Sequence, residues 1–583
     1  MTTPFALSKL PTVLGGSGVL DTPQVLALLQ AYPLPTDGRR FTYGTAGFRQ
    51  AADADLAAVV LRTGLCAAAR SLQAGGLAVG VMITASHNDA SYNGVKIADA
   101  HGGMMAAEGE AMALEICNQG DGATAVAWMQ AYYTAASSSD HAIIPVVHVG
   151  RDTRSHSPAY RQRLVDMLTA VGGRVVDHGV CSTPMLHHGV LHANAVAYLP
   201  ALIPPRPNVA GYLDLVAYSY LALVGTAAGS STGSSSPLPA LVVDCACGVG
   251  MPGLAALVVT LEGLGMPAGR ILATNGPGSG PLNEGCGSEH VQKEQEPPQW
   301  YEGPPADTSY CASLDGDADR IVFFASTASD GLCLLDGDKI TLLFCQFIQE
   351  QLATLAPYLQ NTKIRLGVVQ TAYANGASTS VLQALVGREN VLIAKTGVKH
   401  VHHAAHENFD IGVYFEANGH GTILFGPHFY QAVASLVVPP TATAAATALK
   451  RLQLLPALVN QAVGDSLSDL LLVDAILRLQ NRSLADWHAL YTDLPSRQSK
   501  VKVPDRTAIE TNANETQCLA PAGLQGELQT AMTAVQGRAF VRPSGTEDVV
   551  RVYAEAPTQV AADALAKQAE AIIQKYTSAT SKI

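Results

Sequence analysis

Three aspartates stand at alternate positions in Leu314-Asp315-Gly316-Asp317-Ala318-Asp319-Arg320, just ahead of the apolar run 321–324. In an extended segment alternate side chains share a face, so three carboxylates can converge on one hard cation, which favours magnesium over a soft transition metal. A calcium-binding EF-hand loop needs Gly at its sixth position and Glu at its twelfth, and here those are Arg320 and Ser326. An octahedral metal held by three protein ligands keeps positions open, which phosphate oxygens commonly fill. An acidic surface turn is the competing reading.

A second reactive stretch, Ile83-Thr84-Ala85-Ser86-His87-Asn88, ends the apolar run 80–84. An α/β fold presents its reactive groups at such strand ends. Ser86 is a candidate nucleophile or phosphate carrier, against the simpler reading of a capping or turn serine. His87 is adjacent in sequence, so its side chain diverges from Ser86 and it is not automatically the base. Asn93-Gly94-Val95-Lys96 supplies a turn and a cation, and the Gly-rich Tyr43-Gly44-Thr45-Ala46-Gly47-Phe48-Arg49 ends in another.

Two further loops offer binding groups. In Phe415-Glu416-Ala417-Asn418-Gly419-His420-Gly421, Glu416 and Asn418 suit sugar hydroxyls or an amide, although a strand-ending turn would look similar. In Val541-Arg542-Pro543-Ser544-Gly545-Thr546-Glu547, with Arg551 following, an Arg fork, two hydroxyls and a Gly N–H form a candidate phosphate cradle. His400, His402, His403 and His406 place imidazoles at helical spacing, but no third zinc ligand is near in sequence, so they read as a polar helix face behind Lys399.

These loops need elements to position them. Short apolar runs at 80–84, 143–149, 241–243, 321–324, 366–369 and 411–415 alternate with amphipathic stretches such as 157–171 and 342–355. That alternation predicts βαβ units with mostly parallel sheets, an α/β fold. The last hundred residues read differently, as paired strands at 537–541 and 549–556 followed by a helix over 558–576, a smaller α+β unit. Ala-, Ser- and Thr-rich breaks fall at 135–140, 225–239 and 439–448, and a polar, Pro-bounded stretch at 495–521. The second break has nothing to bury and sets a boundary near residue 236. Both Ser-rich insertions, 135–140 and 225–239, are expected to be disordered surface loops.

Length and charge narrow the class. A chain of 583 residues suggests about four domains at roughly 150 residues each. It is 48% hydrophobic and only 14% charged, which indicates compact, buried protein. The net charge of −12 argues against nucleic acid or an anionic membrane as partner, since both require a basic face. The uncharged stretches 215–243 and 417–449 are long enough to span a membrane, but polar residues, Gly and Pro interrupt them. The N-terminus lacks a signal-peptide core and Ser581-Lys582-Ile583 only approaches a peroxisomal address, so a cytoplasmic location is expected. The ten cysteines lack framework spacing and read as reduced core thiols.

Taken in chain order, the serine loop, the Asp-Gly-Asp-Ala-Asp-Arg loop and the Arg-Pro-Ser-Gly-Thr-Glu loop resemble those of the α-D-phosphohexomutase superfamily. Residues 370–376, 396–400 and 416–421 look most like its phosphoacetylglucosamine mutase branch. Gly150-Arg151-Asp152-Thr153-Arg154 follows the serine loop here, as in that branch, where most phosphohexomutases have it first. Asn418 stands where glucose and mannose mutases usually carry Ser, and its amide suits an N-acetyl group.

The resemblance implies four domains around a central cleft, at 1–235, 236–330, 331–485 and 486–583, each with one loop. It implies an isomerase that interconverts N-acetylglucosamine 6-phosphate and 1-phosphate through phospho-Ser86 and a 1,6-bisphosphate, supplying UDP-N-acetylglucosamine synthesis. One Mg²⁺ per chain is implied, on Asp315, Asp317, Asp319 and the Ser86 phosphate, with glucose or N-acetylglucosamine 1,6-bisphosphate as activator. Arg542, Ser544, Gly545, Thr546 and Arg551 would hold the unreacting phosphate. Glu416, Asn418, Gly419, His420, Lys399 and His400 would contact the sugar. Lys96, Arg49 and His87 are the remaining catalytic candidates. A general-base role for Lys96 requires a pKa lowered by burial among cations.

Asp89 replaces the Pro usual after this Asn, and its charge beside a phosphoserine is expected to loosen the loop and reduce activity. Two alternatives stay open at this point: a phosphoglucomutase or phosphomannomutase, and a catalytically silent phosphosugar-binding protein.

Overall fold

The apolar runs fold as strands, with bounds shifted by at most a few residues. The computed structural model describes residues 7–44, 47–136, 143–194, 204–227, 239–299, 309–327, 331–359, 362–544 and 548–579. These fall into two units, one of residues 1–336, 418–423 and 433–482, the other of 337–417, 424–432 and 483–583.

The first unit holds two sheets. One contains β1 (Thr12–Gly15), β2 (Phe48–Ala51), β3 (Ala78–Ile83), β4 (Tyr92–Ala98), β5 (Val146–Arg151) and β6 (Arg174–Val180), in the order β1-β6-β5-β3-β4-β2. The other contains β7 (Ala240–Asp244), β8 (Ile271–Thr274), β9 (Ser309–Leu314), β10 (Ile321–Thr327) and β11 (Gly331–Leu335), in the order β11-β10-β9-β7-β8. Parallel pairing is confined to β3-β5-β6 and β9-β7-β8, and the flanking strands are antiparallel. The sheets are therefore mixed, not mostly parallel as the βαβ alternation suggests. Short connections such as 84–91 and 315–320 turn the chain straight back on itself, which only an antiparallel pair permits.

The helix Ala54–Gln73 shows why so little charge is needed. Sixteen of its residues are buried, from Leu56 to Leu72, and it packs against the helices Ala107–Cys117, Gly122–Ala136 and Ser157–Ala170 as well as against β3. A helix covered on nearly all sides is apolar all round. Each fully buried Leu or Val in it contributes roughly 1.5–3 kcal/mol. Asp53 caps its first turn by accepting the Leu56 N–H at 3.0 Å.

The second unit has β12 (Leu366–Thr371) paired in parallel with both β13 (Val391–Ala394) and β14 (Ile411–Phe415). After β14 comes β15 (Gly421–Phe425), whose residues are divided between the units. The C-terminal part is an antiparallel sheet of β16 (Ser496–Lys502), β20 (Val549–Glu555) and β19 (Arg538–Pro543), with a hairpin of β17 (Glu510–Thr511) and β18 (Cys518–Ala520). The helices Leu524–Val535 and Gln559–Ala579 pack on it. The polar stretch 495–521 is thus folded and is not a break. β16 is polar at every position but Val501, as suits an edge strand with one partner, β20.

Most of the Ser-rich insertions, 137–142 and 228–238, lie outside the described residues, as does the boundary expected near 236. No disulfide joins the ten cysteines, and nine of them are buried. No described helix is long and apolar enough to cross a membrane.

Candidate active site

In the first unit the C-terminal ends of β3 and β9 bring Ser86 and the three aspartates together. Ser86 is 3% exposed, and its hydroxyl donates to Asp315 Oδ2 at 2.9 Å. The metal-ligand atoms of Asp315, Asp317 and Asp319 lie within 4.8 Å of one another, all buried. The backbone is strained at both loops: Ser86 has φ 50° and Ala318 φ 60°, in the left-handed region that non-glycine residues rarely occupy.

Specific bonds hold that strain. Asn283 Nδ2 donates to both the Ser86 and the Asn88 carbonyls, at 2.9 and 2.8 Å. Arg154 reaches the same two carbonyls and is itself paired with buried Asp152. Ser466, at the start of the helix Ser466–Gln480, donates its hydroxyl to the Ala318 carbonyl at 2.7 Å. The Thr183 hydroxyl donates to Asp317 Oδ2 at 2.6 Å. None of these four side chains stands out in the sequence, apart from Arg154 at the end of its Gly-Arg-Asp motif. They come from stretches far from the loops they support.

The segment expected to be a turn, Asn93 to Lys96, lies within β4, paired with both β2 and β3. Lys96 Nζ sits 3.0 Å from Asp317 Oδ2 and 3.3 Å from Asp319 Oδ2. Burial alone would lower its pKa, but these carboxylates outweigh burial and raise it. The lysine is therefore not surrounded by cations, and in this arrangement it is held protonated. Burial, with Asp319 and Asp317 adding to it, pushes Asp315 well above the ordinary carboxylate range. Burial also works to raise Asp317, yet Lys96 and the Thr183 hydroxyl prevail and hold it low.

Asp317 Oδ1 and Asp319 Oδ1 are buried and accept no hydrogen bond among the described residues. Buried carboxylate oxygens left over in this way cost free energy unless a cation meets them. The set of hard oxygen donors fits Mg²⁺.

Arg49 does not touch the aspartates, but donates to Asn88 Oδ1 at 2.8 Å. Gly47 has φ +79°, and a Cβ there would lie 2.3 Å from the Val95 carbonyl, so the glycine lets this turn close onto β4. Thr45 and Ala46 lie outside the described residues. His87 turns away from the Ser86 hydroxyl: its Nε2 is 3.2 Å from Glu289, which also lies 3.3 Å from Arg320. Burial, with Arg320 and Arg49 nearby, keeps His87 well below its ordinary pKa. The Asp89 carboxylate accepts the Ser91 N–H and hydroxyl at 2.9 and 2.5 Å, closing a local turn. That carboxylate is engaged within the loop's own far end, which is a different role from the one its charge suggests.

The 416–420 loop divides. Asn418, Gly419 and His420 belong to the first unit, and His420 Nδ1 lies 3.7 Å from Asp319 Oδ1. Gly419, at φ +83°, sits so close to β10 that a Cβ would be 1.8 Å from the Ile321 carbonyl. Asn418 Oδ1 accepts the His420 N–H at 3.1 Å.

Glu416 belongs to the second unit, and its Oε1 accepts the Gly397 N–H at 3.1 Å. Lys399 and His400 open the helix Val398–Asn408 just beyond. Burial and the Lys399 and Lys395 charges lower the His400 pKa. In the same helix His402 Nδ1 is 2.8 Å from the Tyr414 hydroxyl, and His403 Nε2 is 3.2 Å from Glu407.

In the C-terminal sheet Arg542 of β19 stands directly opposite Arg551 of β20. Like charges so placed repel, and an anion between them relieves it. Arg542 Nε is 3.0 Å from Glu515 Oε2. Ser544 is buried and its N–H donates to the Val549 carbonyl, while Gly545 and Thr546 lie outside the described residues.

A strained serine on a buried aspartate triad, in a chain of mixed α/β sheets with a small α+β C-terminal unit, defines a phosphohexomutase. Family models agree: phosphoglucomutase/phosphomannomutase domain I matches residues 53–124 and 116–201, and its C-terminal domain 500–572. Domain III of phosphoacetylglucosamine mutase AMG1 matches 336–482. The phosphoacetylglucosamine mutase of Arabidopsis thaliana is 41% identical over 573 residues, 96% of this chain and 99% of the relative. The chain belongs to the phosphoacetylglucosamine mutase family.

The crystal structure of Aspergillus fumigatus N-acetylphosphoglucosamine mutase in complex with GlcNAc-6P and magnesium is similar at TM-score 0.83 and 36% identity, covering 95% of this chain and 99% of that one. A structure of a Ser-to-Ala variant of that enzyme in complex with glucose 1,6-bisphosphate has the same TM-score, 0.83, identity, 36%, and coverage, 95% and 99%.

Proposed function

We propose that this chain is an isomerase that interconverts N-acetylglucosamine 6-phosphate and N-acetylglucosamine 1-phosphate, feeding UDP-N-acetylglucosamine synthesis in the cytoplasm. The observation that carries the reading is the Ser86 hydroxyl on Asp315, 2.9 Å away, inside a buried cluster of three aspartates.

In the forward direction phospho-Ser86 gives its phosphoryl group to the sugar's C1 hydroxyl. The Ser86 Oγ–P bond breaks as the P–O1 bond forms, and the proton lost from the sugar hydroxyl is balanced by protonation of the released Ser86 Oγ. The 1,6-bisphosphate turns over and returns its 6-phosphate to Ser86, releasing the 1-phosphate. A sugar 1,6-bisphosphate restores any serine that loses its phosphate, which makes it the activator.

Asp315, Asp317 and Asp319 would hold Mg²⁺ together with the Ser86 phosphate. The bound metal neutralises charge on the transferring group. Lys96, protonated between Asp317 and Asp319, adds fixed positive charge at the same place. Arg49 fixes Asn88 and through it the serine loop, and His87 lines that loop beside Glu289. His420, 3.7 Å from Asp319 Oδ1, takes the sugar beside the aspartates, with Asn418 and Gly419 in the same loop. Glu416, Lys399 and His400 take the sugar. Arg542, Arg551, Ser544, Gly545 and Thr546 take the phosphate that is not reacting. The four expected domains, 1–235, 236–330, 331–485 and 486–583, each bring one of these loops.

Intact mass spectrometry after incubation with glucose 1,6-bisphosphate tests the reading. One added phosphate that maps to Ser86 is expected, and a chain that stays unmodified would sink the mechanism. A coupled assay with the 6-phosphates of N-acetylglucosamine, glucose and mannose is expected to favour the first.

A further inference from the structure

A buried carboxylate outside every motif sits behind the phosphate-binding arginine. Glu515 is 5% exposed, at the tip of the β17–β18 hairpin, with φ 60°. A glutamate in the left-handed region costs of order 1 kcal/mol or more, so something must over-determine it. The turn is built to do so. Asn512 Oδ1 accepts the Thr516 and Gln517 N–H groups at 2.9 and 3.1 Å, and the Asn512 carbonyl accepts the Glu515 N–H at 3.1 Å.

The Glu515 carboxylate meets two partners. Its Oε2 lies 3.0 Å from Arg542 Nε and accepts the Thr396 N–H at 3.1 Å. The next N–H, Gly397, goes to Glu416. Two successive peptide groups at the start of the sugar loop are thus pinned by two carboxylates, one of which also grips the arginine. The contact at Nε is an ion pair without an aligned hydrogen bond, and it holds the guanidinium, whose terminal fork suits phosphate, against Glu515. It also offsets the charge of Arg542 facing Arg551 across the strands.

We propose that Glu515 is a positioning residue for phosphosugar binding: its charge anchors the Arg542 guanidinium and ties it to the 396–400 loop. This rests on the reading that Arg542 holds the substrate phosphate. Without Glu515 the arginine is still charged, but it loses the carboxylate that anchors it and the two loops are no longer tied.

The test is calorimetric titration of the full chain with N-acetylglucosamine 6-phosphate, on wild type, Glu515→Ala, Glu515→Gln, Arg542→Ala and the double Ala variant. Glu515→Ala is expected to weaken binding about tenfold. Glu515→Gln, which can still accept the Thr396 N–H, should lose only about threefold and covers the case in which the Ala variant does not fold. Arg542→Ala should lose more than tenfold, and the double variant no more than Arg542→Ala alone, because Glu515 acts through Arg542. Fully additive losses, or tighter binding in Glu515→Ala, overturn the proposal. An Arg542→Ala variant that binds like wild type overturns the phosphate assignment itself, a result distinguishable from the first because it shows in that single variant.

Discussion

Two sites, the aspartate cluster of the first unit and the arginines of the C-terminal sheet in the second, treat charge in opposite ways. In the first, three buried carboxylates share Lys96 and, at 3.8 and 3.9 Å, Arg320, and two of their oxygens accept no hydrogen bond among the described residues. In the second, Arg542 is matched by Glu515, and Arg538 by Glu555 at 2.8 Å. The reactive site is left with negative charge that asks for a cation. Two arginines of the proposed binding region are each matched by a carboxylate, while Arg551 still faces Arg542 across the strands. Chemistry on a phosphoryl group needs the first arrangement, and recognition of one needs the second.

The contrast can be broken most forcefully at Ser86. Ser86→Ala should lower turnover by roughly 10⁴-fold or more, as removal of a nucleophile does, while calorimetry still shows phosphosugar binding. Normal turnover would refute the phosphoserine mechanism. Next, Asp317→Asn removes the negative charge that Lys96 and Thr183 face while keeping an acceptor oxygen for them. Metal affinity, measured with Mn²⁺ by electron paramagnetic resonance, should fall by about 100-fold. An unchanged affinity would mean that the excess charge serves something other than a metal.

In the second unit Glu555 pairs with Arg538 and accepts the Gly376 N–H at 3.0 Å and the Tyr553 hydroxyl at 2.8 Å. Glu555→Ala removes the partner of a partly exposed arginine that keeps its bonds to the Ala372 and Ala374 carbonyls, and strips the Gly376 N–H and Tyr553 hydroxyl of their acceptor, which costs about 1–3 kcal/mol. Scanning calorimetry should show that loss, with metal affinity at the aspartates unchanged.

Stability against pH gives a further test. Burial lowers His148 to about 3 and His178, His187 and His192 to about 4, all in the first unit. Unfolded histidines titrate near ~6.5, so between that pH and about 4 the unfolded state binds more protons. The stability is present above pH ~6.5 and is lost as pH falls toward 4, by at least ~2 kcal/mol at pH 5. A flat thermal midpoint from pH 7 to 5 would contradict it. The smallest change is expected at Asp89. Because its carboxylate is turned onto Ser91, Asp89→Pro should alter turnover by no more than about twofold in the coupled assay.

What could be read from sequence follows the same division. Strand runs were legible because an apolar segment between turn residues has few other fates, and 411–415 folds within those bounds. Ser86 and the aspartates were legible because their chemistry is written in adjacent letters. Asn283, Thr183, Ser466 and Glu515 were not, since each acts on a loop more than a hundred residues away in sequence and looks like an ordinary polar residue in its own stretch. The stretch 495–521 reads as a break because an edge strand and a hairpin carry polar residues on their open sides. The Lys96 environment could not be read, because β4 faces carboxylates that the sequence places two hundred residues later.

The bond from Ser466 to the Ala318 carbonyl also has a meaning in time. The two residues are 148 positions apart, and at about 5–20 residues per second a ribosome needs roughly 7–30 s to go from one to the other. Throughout that interval the nascent aspartate loop exists without the helix that props its left-handed residue. The segment that completes the first unit is itself made only after most of the sugar-loop segment of the second. A growing chain therefore cannot finish its reactive half first and its binding half afterwards, and the two must mature on an interleaved schedule.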